Sequence, residues 1–167
     1  MDLANNHLYV KAKITAPDGT NIADDAEVGP VNNFLHSLFS QVDISLNGTL
    51  ITSSTNTYPY RAYIEDLLSY GPESKESQLT ASLFYKDTPG KMGVANSRAA
   101  VADRNHELTT RSLFTNQSRV VDLIGRLHSD IFFQERYMLN EVNTKIRLLR
   151  SRDSFCLMST GQFKVKI

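Results

Sequence analysis

Val31–Thr52, VNNFLHSLFSQVDISLNGTLIT, decides the fold. It opens on an apolar cluster, Phe34, Leu35, Leu38 and Phe39, and then alternates strictly. Val42, Ile44 and Leu46 fall on one side, and Asp43, Ser45 and Asn47 on the other. A strand sends successive side chains to opposite faces, so this pattern predicts a sheet with one buried face. Asn47-Gly48 follows at once; both residues tolerate the positive φ that a type I′ hairpin needs. Leu50 and Ile51 begin the return strand. The hairpin's apolar face then requires a second layer to cover it.

Alternation recurs on both sides of this hairpin. Leu8–Thr15 places Leu8, Val10, Ala12 and Ile14 inward and is closed by the turn residues Pro17-Asp18-Gly19. Asn21–Val31, with Asp24, Asp25, Glu27 and Gly29-Pro30, reads as an acidic surface loop. It lacks the ligand spacing and central glycine of an EF-hand loop. Val120–Ile124, Asn143–Ser151 and Phe155–Met158 carry strand signals. Gln162–Ile167 alternates Phe163, Val165 and Ile167 against Lys164 and Lys166, and the chain stops inside that pattern. We therefore expect a piece of something longer.

Helical signals are fewer. Pro59 suits a first helical turn, and Tyr60, Ile64, Leu67 and Leu68 predict one apolar stripe on a helix that Gly71-Pro72 ends. Ser74–Tyr85 fits a short helix, or an extended piece beginning at Leu83-Phe84-Tyr85. Ala95–Asn116 is irregular with some helix. Seven or eight short strands with helices inserted between them favour an antiparallel sandwich over a parallel α/β sheet.

Bulk properties narrow the function. A length of 167 residues suits one domain with a real core. Formal net charge is zero, so nucleic acid or anionic membrane is not indicated as the main partner. The balance hides an asymmetry: Met1–Ser118 holds 9 basic and 13 acidic residues, Arg119–Ile167 holds 9 and 5. This suits either head-to-tail contact in an assembly or ordinary solvated faces. A single cysteine, Cys156, provides no disulfide framework and fits a reducing compartment. No basic-then-apolar leader and no run of about 20 apolar residues occur, so neither secretion nor a membrane span is expected.

Candidate chemistry is sparse. His7, His36, His106 and His128 are scattered without a metal-ligand spacing, and His36 reads as a core or rim residue. Cys156 with His128 and Asp130 would be the components of a thiol nucleophile, but Phe-Cys-Leu-Met reads as an apolar strand. Lys145, Arg147, Arg150 and Arg152 form the densest basic patch, suited to phosphate contact or to ion-paired subunit contact. Tyr58, Tyr60 and Tyr63 would suit a carbohydrate-binding face if exposed, and Phe132-Phe133 an interface. No catalytic, cofactor-binding or metal residues are assigned, and neither a cofactor nor an enzymatic activity is expected.

With these segments laid out, the chain resembles the double jelly-roll major capsid protein (hexon-like) of Polinton/Maverick elements and their adintovirus relatives. The matching blocks are LYVKAKIT at Leu8–Thr15, Val31–Thr52, YPYRAYIEDLLSYG at Tyr58–Gly71 and LFYKDTPGKM at Leu83–Met92. The longest is VDLIGRLHSDIFFQERYMLNEVNTKIRLLRSRDSFCLMS at Val121–Ser159; Gly93–Ser118 matches least. The resemblance implies a jelly-roll sandwich with short inserted helices. Residues 1–167 would be most of the first jelly roll, lacking a strand before Met1 and a second jelly roll after Ile167. It implies homotrimers that tile an icosahedral shell beside neighbouring capsomers and a penton-type capsid protein. Its place would be the virion, made inside the host cell, with weak contact of the basic patch to packaged DNA. A ligand-binding jelly-roll module and a cysteine hydrolase stand as the alternatives.

Overall fold

The computed structural model describes residues 2–167. In chain order its elements are β1 (His7–Thr15), β2 (Val28–Pro30), α1 (Phe34–Ser37), β3 (Phe39–Leu46), β4 (Thr49–Leu50), α2 (Tyr58–Ser69), α3 (Pro72–Glu76), α4 (His106–Thr115), β5 (Val121–Arg126), β6 (Thr144–Arg150), α5 (Asp153–Cys156), β7 (Leu157–Ser159) and β8 (Lys164–Lys166). Turns of 3-10 helix stand at Gln78–Ser82, Asn116–Ser118 and Asp130–Phe133. Among the described residues the eight strands form antiparallel sheets ordered β5-β1-β8, β2-β7 and β4-β3-β6.

The hairpin forms as its residues dictate. Asn47 (φ 49°) and Gly48 (φ 82°) make the tight turn, and Leu46 pairs with Thr49. Val42 and Ile44 are buried and Asp43 and Ser45 half-buried, so the predicted faces hold. A bulge between Phe39 and Gln41 shifts the register against β6 and turns Gln41 inward beside Val42. Gln41 is satisfied there. It donates to Asp43 Oδ1 (2.8 Å) and the Ser53 carbonyl (2.7 Å) and accepts from the Asn56 amide (2.8 Å), so it fastens the polar linker to the sheet.

The cover for this face comes largely from the same stretch. Phe34, Leu35 and Leu38 have no exposed surface, and α1 touches both β3 and β5. One apolar cluster joins them to Val10, Ala12 and Ile14 of β1, Leu123 of β5, Val165 of β8 and Ile44 of β3. The helix is thus a plug between the two three-stranded sheets. Gly125 makes the close approach possible: a Cβ there would stand 2.7 Å from Leu35 Cδ2.

Three expectations need correction. Gly29-Pro30 is not surface loop but buried strand, paired with β7. Proline is tolerated because β2 is paired through β7 alone, and Gly29 admits α4, whose Leu108 Cδ1 would lie 2.8 Å from an added Cβ. Phe155 and Cys156 belong to the single turn α5 rather than to a strand; β7 begins at Leu157. Finally, α2 is a helix, but its apolar stripe faces outward. Tyr58, Ala62 and Asp66 point in, whereas Tyr60, Ile64 and Leu68 are 58%, 53% and 78% exposed.

Candidate functional site

Two features of α2 stand out, one on each side. The inner side carries a buried polar cluster. Asp66 is 1% exposed, His36 of α1 2%, and His128, just after β5, 4%. One ring nitrogen of each histidine and one oxygen of Asp66 lie within 4.8 Å of one another. The two imidazoles meet edge to face, with centroids 4.7 Å apart.

Each member is held from behind. His36 Nδ1 lies 2.9 Å from the Tyr58 hydroxyl, and His128 Nδ1 lies 2.7 Å from Glu65 Oε2. Asp66 Oδ2 accepts from Asn33 Nδ2 at 2.7 Å, and Asn33 Oδ1 accepts from Ser82 at 3.2 Å. His128 Nε2 faces Asp66 Oδ1 at 3.4 Å. Asn33 can serve because it sits in the left-handed region (φ 56°) at the start of α1, a conformation asparagine tolerates.

Electrostatics differ between the two rings. Burial, and then the neighbouring His128 charge, push the proton affinity of His36 well below the ordinary imidazole range, so it is neutral. Burial also opposes charge on His128, but the hydrogen bonds and charges of Asp66 and Glu65 outweigh it and raise its proton affinity. A neutral imidazole, a buried carboxylate and a second imidazole braced by a carboxylate are together a set of donors able to hold a divalent cation.

The outer side of α2 is apolar. The Tyr60 ring packs edge-on against Phe155, centroids 5.8 Å apart. A groove of about 420 Å³ runs beside them, with Pro59, Tyr63, Ile64 and Val31 in its walls. Exposed apolar side chains gathered on one helix face mark a docking surface more often than scattered ones do.

The remaining sequence candidates fall as follows. Cys156 Sγ donates to the carbonyls of Ser37 (3.2 Å) and Arg152 (3.4 Å), and burial pushes its thiol up to about 11. The nitrogens of His128 face carboxylates instead, so the structure does not assemble these two residues as a nucleophile and its base. Of the three tyrosines, Tyr58 is buried, Tyr63 half-buried and Tyr60 exposed, which leaves no three-ring platform. Phe132 is buried and Phe133 39% exposed, under the Arg126 guanidinium at 4.5 Å. Lys145 and Arg147 lie exposed on β6, at the edge of its sheet; Arg150 is engaged with Asp153 (2.8 Å) and the Val165 carbonyl. In the acidic loop, Asp24 accepts from Asn116 (2.6 Å), and Glu27 accepts from Asn96 (2.7 Å) and Thr160 (2.8 Å). These carboxylates tie loops together.

Sequence reading missed Arg111. It has no exposed surface and donates to the Pro30 carbonyl (2.8 Å), the Tyr85 carbonyl and Asp87 Oδ1 (2.7 Å). Among the described residues no helix is long and apolar enough to cross a membrane.

No family model matches the chain, and no solved structure matches it. An uncharacterized protein of Caenorhabditis elegans is 24% identical over an aligned length of 177 residues, which takes in 99% of this chain and 38% of the worm protein. The chain therefore spans about two fifths of the length of the curated relative it matches.

Proposed function

We propose that this chain is a structural, shell-forming subunit: the first jelly roll of a double jelly-roll major capsid protein. In that reading the whole protein assembles as homotrimers that tile an icosahedral virion shell. The observation that carries it is the outward apolar face of α2. Tyr60, Ile64 and Leu68 are exposed on a helix whose inner side is buried, and Phe155 extends the patch. Leaving such a face in water costs about 25 cal/mol for each Å² that a partner would cover, so burial against another subunit is its natural use.

Antiparallel sheets with inserted helices agree with the architecture implied by the sequence blocks. The charged edge strand β6, with Lys145 and Arg147, discourages indiscriminate edge-to-edge pairing. It leaves those side chains free for a neighbouring capsomer, a penton-type protein or packaged DNA. Electron microscopy of the full-length protein under assembly conditions tests the proposal. Three-fold capsomers and closed shells are expected; dispersed single particles without three-fold symmetry would overturn it.

A further inference from the structure

We infer that His36, Asp66 and His128 form a binding site for a divalent transition metal of the Zn²⁺ class, buried under α2. The three come from different parts of the chain, α1, α2 and the segment after β5, yet their donor atoms converge within 4.8 Å.

The spacing suits two donors on one ion as well as the His128–Asp66 hydrogen bond. Donors on tetrahedral Zn²⁺ with bonds of roughly 2.0–2.1 Å sit about 3.4 Å apart. His128 Nε2 and Asp66 Oδ1 are 3.4 Å apart, long for a charge-assisted hydrogen bond. The contact behind the same ring, from Nδ1 to Glu65, has the short 2.7 Å distance of one. Bringing in the third donor, within 4.8 Å of the others, requires a closure of up to about 1.4 Å.

The outer contacts are those a metal site uses. A ligating imidazole fixes its other nitrogen on a carboxylate or another polar group, which sets the ring's orientation and tautomer. Glu65 does this for His128, and Tyr58 holds a nitrogen of His36. Asn33 fixes the second oxygen of Asp66. Two nitrogens and one carboxylate oxygen suit Zn²⁺ better than Ca²⁺ or Mg²⁺, which take oxygen.

Of the three, His128 alone borders a surface cleft, of about 500 Å³ and lined also by Arg61, Glu65, Tyr70 and Arg126; His36 and Asp66 lie behind it. A water would complete the coordination, with Glu65 kept behind the His128 ring. Because the ligands bridge α1, α2 and the segment after β5, the ion would tie the plug helix to the helix that carries the apolar face.

The test uses the wild-type chain, stripped by chelator and titrated with Zn²⁺ by calorimetry and with Co²⁺ by visible absorption. One equivalent should bind, the unfolding temperature should rise by about 5 °C or more, and Co²⁺ should give the intense bands of a four-coordinate N/O site. His36→Gln and Asp66→Asn should abolish these signals; His7→Gln and His106→Gln should leave them. If the buried-site variants fail to fold, ¹⁵N-imidazole spectra of the wild type decide. Zn²⁺ must then shift His36 and His128 and leave His7 and His106 in place. Absence of stoichiometric binding, or binding that follows His7 or His106, would overturn the inference and leave the cluster a hydrogen-bonded network.

Discussion

The Arg111 guanidinium, wholly buried in α4, donates to the Asp87 carboxylate at 2.7 Å. The same side chain reaches the carbonyls of Pro30 and Tyr85, so one residue joins α4, β2 and the 85–88 loop. Breaking a buried pair leaves its partner uncompensated, which costs about 3–5 kcal/mol. Arg111→Met should lower stability by that order in denaturant unfolding. Lys11→Ala, at the exposed Lys11–Asp122 pair (3.7 Å), should leave the unfolding midpoint close to that of wild type.

Close packing gives a second expectation. A Cβ at Gly125 meets Leu35 Cδ2 at 2.7 Å, and one at Gly29 meets Leu108 Cδ1 at 2.8 Å, both leucines being fully buried. Overpacking of this kind costs about 1–3 kcal/mol. Gly125→Ala and Gly29→Ala should each lower the melting temperature measurably. Gly93→Ala, with open space around it, should stay within about 0.5 kcal/mol of wild type.

Ile64→Lys and Leu68→Lys probe the outer face of α2. Both side chains are more than half exposed, so the chain's own stability should change by less than about 0.5 kcal/mol. Assembly of the full-length protein, followed by light scattering, should nevertheless fail. Unimpaired assembly in both variants would remove α2 from the subunit contact.

Burial raises the Cys156 thiol from 9.0 to about 11, so the fold favours the neutral form. The sign follows: this contribution to stability is complete below the unfolded value, and is lost as pH rises from about 9 through about 11. Native protein at pH 8 should react slowly with a thiol reagent, and at least tenfold faster once unfolded in denaturant. Rapid reaction of the native thiol would mean that Cys156 is not held as the structure has it.

Local patterns were the legible part of this chain. Period-two alternation located β1, β3 and β8, because one face of each meets an apolar layer; β5 and β6 also stand where strand signals placed them, although no residue of β6 is buried. Asn47-Gly48 announced its turn, since few other residues accept two successive positive φ values. Gly29-Pro30 misled because both residues usually mark loops; their strand is set by pairing with β7 and the approach of α4, neither of which is local. The stripe on α2 carried the right period but not its direction, since the interior instead takes Ala62, Asp66 and the Tyr58 hydroxyl. The His36–Asp66–His128 cluster was invisible for the same reason. Its members stand 30 and 62 positions apart, with no motif linking them, and only the packing of α1 against α2 and β5 brings them together. Arg111 gave no signal either: an arginine on an amphipathic helix reads as solvated until its carbonyl partners are seen.

Whether the whole protein builds trimers and shells is read from its mass in solution. Sedimentation analysis across protein concentration and ionic strength should give a trimer that passes into much larger closed species. A single species of monomer mass under every condition would contradict the account.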